Sequence, residues 1–135
     1  MIKIKDIAFT GYPVTDLAKA RHFYENILGL TAKVYSEEEA CSGGDEKGWI
    51  EYELPSGTFA ITNVAPDWKP STSGPSIALE VADINSALQD LKKNDVPIAL
   101  EPFESPVCFF AVILDPDKNS VILHQRKTTH PDYTG

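Results

Sequence analysis

Ser76-Ile-Ala-Leu-Glu-Val-Ala-Asp83-Ile84, followed by Ala87, Leu88 and Leu91, restates an earlier part of the same chain. The earlier part is Phe9-Thr-Gly-Tyr-Pro-Val-Thr-Asp16-Leu17, followed by Ala20, Phe23 and Tyr24. Asp16 to Asp83 and Ala20 to Ala87 keep one offset, so a strand, a capping aspartate and a helix face recur in register. Internal repetition of this kind sets architecture before any single residue is interpreted. Each copy has roughly 65 residues, too few to bury a good core alone. The two copies are therefore expected to pack into one domain, with any pocket where they meet.

Working outward from the repeat, residues 4–14 alternate as a strand. Asp16 suits an N-cap, and Leu17, Ala20, Phe23, Tyr24, Ile27 and Leu28 keep helical spacing up to Gly29, which fits a left-handed helix end. Residues 31–36 read as a second strand, and Ser36 to Lys47, acidic and holding Gly43-Gly44, as a loop. Trp49-Ile-Glu-Tyr-Glu-Leu54 alternates, Pro55-Ser-Gly57 turns, and Thr58 to Thr62 returns as its hairpin partner. Pro66 to Pro75 holds three prolines and a glycine and reads as the linker. The second copy follows the same order: strand 76–82, cap Asp83, helix 84–94, strand 96–101, and strands 107–114 and 120–125 flanking a tight turn at Asp115-Pro-Asp-Lys-Asn119. Each copy is thus β-α-β-β-β, module one about 1–65 and module two about 76–126, with a polar tail over 127–135.

Composition narrows the partners. At 14.8 kDa and 42% hydrophobic residues, the length is that of one domain with an ordinary core. A net charge of −8 disfavours nucleic acid, which needs a basic face to neutralise phosphates. No apolar run approaches the roughly 20 residues of a membrane helix. Met1-Ile-Lys-Ile-Lys-Asp6 enters a strand pattern without a signal-peptide layout. Cys41 and Cys108 make neither a zinc spacing nor a disulfide scaffold. The expectation is a reduced cytoplasmic protein with a small-molecule partner and no membrane or nucleic-acid partner.

Two motifs carry a family resemblance. Val14-Thr-Asp16-Leu17, with His22-Phe-Tyr24 and Ile27-Leu-Gly-Leu30, resembles the first-helix signature of the glyoxalase/bleomycin-resistance/extradiol-dioxygenase group, the vicinal oxygen chelate superfamily. Asp115-Pro-Asp-Lys-Asn-Ser-Val-Ile-Leu-His-Gln125 resembles that group's closing hairpin, except that Lys118 stands where glycine is usual, which predicts a slightly strained turn. The resemblance implies an α+β fold of two tandem βαβββ modules whose sheets curl around a central cleft. It also implies a divalent metal held by His or Glu on the first and last strands of each module. Mapped here, those positions are Phe9, Ile61 (or Thr62 if the register slips), Ser76 and Ile122. A serine hydroxyl alone cannot hold zinc, nickel, manganese or iron. No metal or cofactor is therefore expected, and metal-dependent glyoxalase I and extradiol dioxygenase activity are disfavoured.

Alternation then places the cleft wall. Phe9 brings Gly11 with it, Ser76 brings Ala78 and Glu80, and Ile122 brings Ser120 and His124. Across the 115–119 turn, Val112 should face Ile122 and Phe110 should face His124, with Cys108 on the same side. Across Pro55-Ser-Gly57, Glu51 should face Ile61 and Glu53 should face Phe59, with Trp49 beside them. The candidate ligand-binding residues are Phe9, Trp49, Glu51, Ile61, Ser76, Phe110, Ile122 and His124, and Glu51 and His124 are the candidate catalytic groups. Each also has a plainer reading. His124 suits a hydrogen-bonded cleft residue, Glu53 the wet face of an edge strand, Cys108 a small buried hydrophobe, and Glu37-Glu-Glu39 a solvated loop.

Three functions follow. One is a metal-free binding protein of the bleomycin-resistance type, taking a small, partly apolar aromatic or cationic compound, and by the family's habit a homodimer. Another is a glyoxalase-like lyase or isomerase that moves a proton with Glu51 or His124 and without the usual metal. The third is a non-enzymatic interaction module whose cleft is filled by Phe9, Ile61 and Ile122.

Overall fold

The computed structural model describes residues 1–33 and 47–127. Most of the predicted 36–47 loop, the end of the predicted strand 31–36 and the tail beyond Lys127 lie outside the described residues. The chain divides into two compact units, Met1–Pro70 and Ser71–Gly135. The first holds strand β1 (Thr10–Pro13), helix α1 (Leu17–Arg21) running into a π-helical turn (His22–Ile27), and strands β2 (Trp49–Leu54) and β3 (Gly57–Thr62). The second holds β4 (Ile77–Glu80), α2 (Ile84–Lys93), β5 (Ile98–Glu104), β6 (Cys108–Leu114) and β7 (Ser120–Arg126). The sheets run β1-β3-β2 and β4-β7-β6-β5, and in each the strand before the helix pairs in parallel with the last strand.

The second unit shows the expected β-α-β-β-β order. Among the described residues the first shows β-α-β-β, and Ala32, at the start of the expected strand 31–36, makes one bridge to Tyr52. Both helices start as their aspartates dictate: Asp16 accepts the Lys19 N–H and Asp83 the Ser86 N–H, each at 3.1 Å. Gln125 adds a second cap, its side chain accepting the Ile84 N–H at 2.8 Å. The first helix then widens. Leu28 N–H reaches back to the Phe23 carbonyl, one residue further than an α-helix allows, before Gly29 ends it at φ 81°.

Each sheet buries one face against its helix. In the first unit Tyr12, Ile50, Tyr52, Phe59 and Ile61 close on Leu17, Phe23 and Tyr24, with the Tyr24 and Phe59 rings 5.2 Å apart edge to face. In the second, Ala111, Ile113, Val121 and Leu123 close on Ile84, Leu88 and Leu91. Burial of each such large aliphatic side chain stabilises by about 2 kcal/mol relative to exposure.

Two expectations are corrected. The first strand covers Thr10–Pro13 rather than 4–14. Alternation makes residues 4–9 competent for a strand, but β1 finds a neighbour only from Thr10, opposite Phe59 of β3. The β2–β3 hairpin also pairs one residue away from the expected register. Gly57 belongs to β3 and faces Leu54, so the loop is two residues, Pro55 and Ser56, instead of three. Ile50 therefore faces Ile61, Tyr52 faces Phe59, and Glu51 faces Ala60. Ile61 consequently lies on the buried side beneath the helix and not on the open side. The β6–β7 pairing is as expected, with Val112 opposite Ile122 and Phe110 opposite His124.

Candidate functional site

The face of each sheet that points away from its helix is where side chains remain available. In the second unit that face carries Ala78 and Glu80 of β4, Ile122 and His124 of β7, and Phe110 and Val112 of β6. Ile122, His124, Phe110 and Val112 are each half-buried, whereas Ala111, Ile113, Val121 and Leu123 between and beside them fill the core. Register shifts in β5 bring Leu100 opposite Val112 and Phe103 opposite Phe110. Phe103 is exposed, and its ring lies 5.1 Å from that of Phe110. An exposed apolar strip thus leads to one polar pair. His124 Nδ1 lies 2.5 Å from Glu80 Oε1, and Glu80 Oε2 accepts the Arg126 N–H at 2.7 Å. Partial burial opposes ionisation of Glu80, but the Arg126 amide and His124 outweigh it and hold the carboxyl below its usual range. A carboxylate so placed fixes the orientation of the imidazole, as a general base requires.

Other predicted residues of this unit have structural partners. The Ser76 hydroxyl donates to the Ser120 carbonyl at 2.8 Å. Cys108 is buried, with Ser105 Oγ 3.2 Å from its sulfur, which agrees with the plainer reading of that residue.

In the first unit the face away from the helix carries the row Gly11, Ala60 and Glu51, neighbours across β1, β3 and β2, with Ala60 fully buried at its centre. Trp49 Nε1–H donates to Glu51 Oε2 at 3.0 Å, and the Phe9 ring meets the Trp49 ring edge to face at 5.0 Å. Trp68, from the linker, reaches Gly11 as well. A methyl placed on Gly11 would lie 2.8 Å from Trp68 Cη2 and 3.3 Å from Phe9 Cε2. Phe9, Trp49 and Trp68 stay 45%, 38% and 42% exposed, an apolar patch of large rings on the surface.

Sequence reasoning placed Phe9, Trp49 and Glu51 on one surface and missed Trp68, Leu100 and Phe103. Trp68 gives one local sign, a tryptophan spent in a proline-rich linker. Phe103 lies beyond the predicted strand end, because the irregular β5 breaks simple alternation.

The implied metal can be tested on its donors. Phe9, Ile61 and Ile122 have none, and Ser76 uses its hydroxyl on Ser120. Thr62, the alternative to Ile61, is buried and donates its hydroxyl to the Gly48 carbonyl at 2.8 Å. Among the described residues no group of three or more His, Cys, Asp or Glu side chains is arranged to hold a metal ion. The donor set does not fit the family's metal.

A family model described as the glyoxalase/bleomycin resistance protein/dioxygenase superfamily matches residues 6–123. The chain belongs to that superfamily. Its α+β fold is the glyoxalase/bleomycin-resistance fold. An antibiotic binding protein from Streptomyces sp. CB03234 is 22% identical with a TM-score of 0.72, over 94% of this chain and 100% of that one. A glyoxalase/dioxygenase from Nostoc punctiforme is 16% identical with a TM-score of 0.70, over 91% and 92%. A glyoxalase/bleomycin resistance protein, also from Streptomyces sp. CB03234, is 22% identical with a TM-score of 0.67, over 87% and 98%. At these identities the likeness is one of fold. No match was found among the curated proteins. No helix among the described residues is long and apolar enough to cross a membrane.

Proposed function

We propose that this glyoxalase-superfamily chain binds a small, partly apolar molecule and does so without the family's metal. One observation carries the reading. Both sheets leave large apolar side chains exposed on the face away from the helix, beside a small number of polar groups. Phe103 meets Phe110, the cross-strand neighbour of His124 in the His124–Glu80 pair, and Phe9 meets Trp49, which holds Glu51. Small-molecule sites have this composition, an apolar wall with few convergent polar groups. An antibiotic binding protein among the similar folds supports the class and not the ligand. The reading includes a homodimer, which sedimentation would check, and a cytoplasmic location, which cell fractionation would check.

A second reading is favoured by the 2.5 Å contact between His124 and Glu80. There His124 takes a proton from a bound substrate while Glu80 positions the ring, giving a lyase or isomerase. One experiment addresses both. A panel of aromatic, aliphatic and charged small molecules is screened by ligand-observed saturation-transfer NMR, and every hit is incubated with the protein and followed by mass and by its one-dimensional NMR spectrum, which also registers isomerisation. Saturable hits that remain unchanged in mass and structure support binding alone. Conversion that is lost in His124→Ala, with the hit still bound, moves the assignment to the enzyme. A panel without a single saturable hit overturns both.

A further inference from the structure

We propose that the Phe9–Trp49–Trp68 corner of the first unit is a recognition site for a small organic cation, with Glu51 as its counter-charge. The inference rests on the small-molecule reading above and names a ligand class and a place for it. Three electron-rich rings share one surface. Trp49 meets Phe9 edge to face at 5.0 Å, and Trp68 and Phe9 both lie over Gly11. A cation is attracted to the faces of such rings, most strongly to tryptophan, and aromatic clusters of this kind recognise alkylammonium groups. The negative charge is built in. Glu51 stands at the end of the row that starts at Gly11, and the indole N–H of Trp49 fixes its carboxylate at 3.0 Å. That bond ties the charge and one of the rings into a single geometry. The chain as a whole carries −8, so its field adds to the attraction.

The floor of the corner is also specific. Gly11 and Ala60 are cross-strand neighbours, both are small, and Ala60 is already fully buried, so a ligand would meet the rings from outside and not the sheet itself. At Gly11 a Cβ would collide with Trp68 and crowd Phe9, so the rings can approach the sheet only because no side chain is present. Trp68 is the outer part of that contact and is exposed, so it can swing away if Gly11 is enlarged. Gly11→Ala therefore opens the corner while the core behind the sheet stays packed.

The two tryptophans of the chain are Trp49 and Trp68, so tryptophan emission excited at about 295 nm, where the five tyrosines scarcely absorb, reports this corner. The full chain is titrated with benzyltrimethylammonium and, in parallel, with neopentylbenzene, its neutral carbon isostere. The expected result is a saturable fluorescence change with the cation and binding at least about tenfold weaker for the neutral compound. Glu51→Gln should weaken the cation about tenfold and leave the isostere unaffected. Trp68→Ala, read on Trp49, should lose most of the cation response. Gly11→Ala should do the same with an unaltered urea midpoint, which separates loss of the site from loss of the fold. Equal binding of cation and isostere overturns the inference, as does a Glu51→Gln protein that binds the cation like wild type. No saturable change with either compound overturns it too. Hits in the ligand-observed screen would in that case still uphold the small-molecule reading, because that screen detects binding anywhere on the chain.

Discussion

Tyr52 carries its hydroxyl into the first unit's core and donates to Glu25 Oε2 at 3.0 Å. Arg21 grips the same carboxylate through Nε at 2.6 Å and Nη2 at 3.1 Å. Nothing local in the sequence announces this group. Arg21 and Glu25 are one helical turn apart, but Tyr52 joins them from a strand that only folding brings near. Burial first, then the charge of Glu25 and the hydrogen bond to it, push the phenol far above its ordinary 10.0, although Arg21 pulls the other way. The pH dependence has a definite sign. A group whose pKa is raised by folding contributes stability that is complete below the unfolded value and is lost as pH climbs beyond it. At neutral pH Tyr52→Phe should cost about 1.5 kcal/mol, the scale of a bond to a charged partner. Above pH 10.0 the gap between wild type and variant should shrink, since only the unfolded wild-type chain gains by ionising Tyr52. Urea melts at pH 7, 9 and 11 test this, and a gap that stays constant would show that Tyr52 is not held neutral.

Among the elements, legibility in the sequence followed the turns. The β6–β7 pairing could be read because Asp115 specifies its loop. The buried Asp115 carboxylate accepts the Asp117 and Asn119 amides at 2.9 and 2.8 Å and the Asn119 side chain at 2.9 Å. A loop held this tightly leaves one register, and Phe110 falls opposite His124 as expected. The β2–β3 loop has no such anchor, so counting Gly57 as turn instead of strand shifted every pair by one and turned Ile61 to the wrong side. The π-helical widening after Arg21 left no trace in the apolar spacing, because Phe23 and Tyr24 are buried either way. Trp68 and the Glu80–His124 pair depend on contacts between distant segments, which periodicity does not encode. Lys118 offers a test at this scale. It adopts φ 66°, the left-handed region, as its place in the family's glycine position implied. A side chain there costs roughly 1–2 kcal/mol, partly offset in glycine by its greater freedom when unfolded. Lys118→Gly should therefore stabilise the chain by about 1 kcal/mol. A raised urea midpoint with unchanged slope would agree, and an unchanged or lowered midpoint would show that the turn holds no strain.

At the scale of the whole molecule, residues 1–8 are the part that the other described residues do not account for. Met1, Ile2, Ile4 and Ile7 are almost fully exposed, and the segment lacks a strand partner among the described residues. Yet Ile2-Lys-Ile-Lys5 alternates as a half-buried strand would, and it runs directly into β1. We propose that another molecule completes this surface, since apolar side chains in that pattern are left in water. A second copy is the economical partner, because a two-fold dimer lets each segment find the same acceptor on the other chain. Charge points the same way, since Lys3 and Lys5 make this segment basic on a chain of net charge −8. We therefore expect sedimentation equilibrium at micromolar concentration to return twice the 14.8 kDa chain mass. Replacing Ile2 and Ile4 together by serine should weaken that dimer, while the cores of the two units, which do not include these residues, keep their circular dichroism. Added salt should also weaken it, through Lys3 and Lys5. A monomer at these concentrations would reject the dimer. A dimer indifferent to both isoleucines would place its interface elsewhere and leave the exposed segment to a different partner.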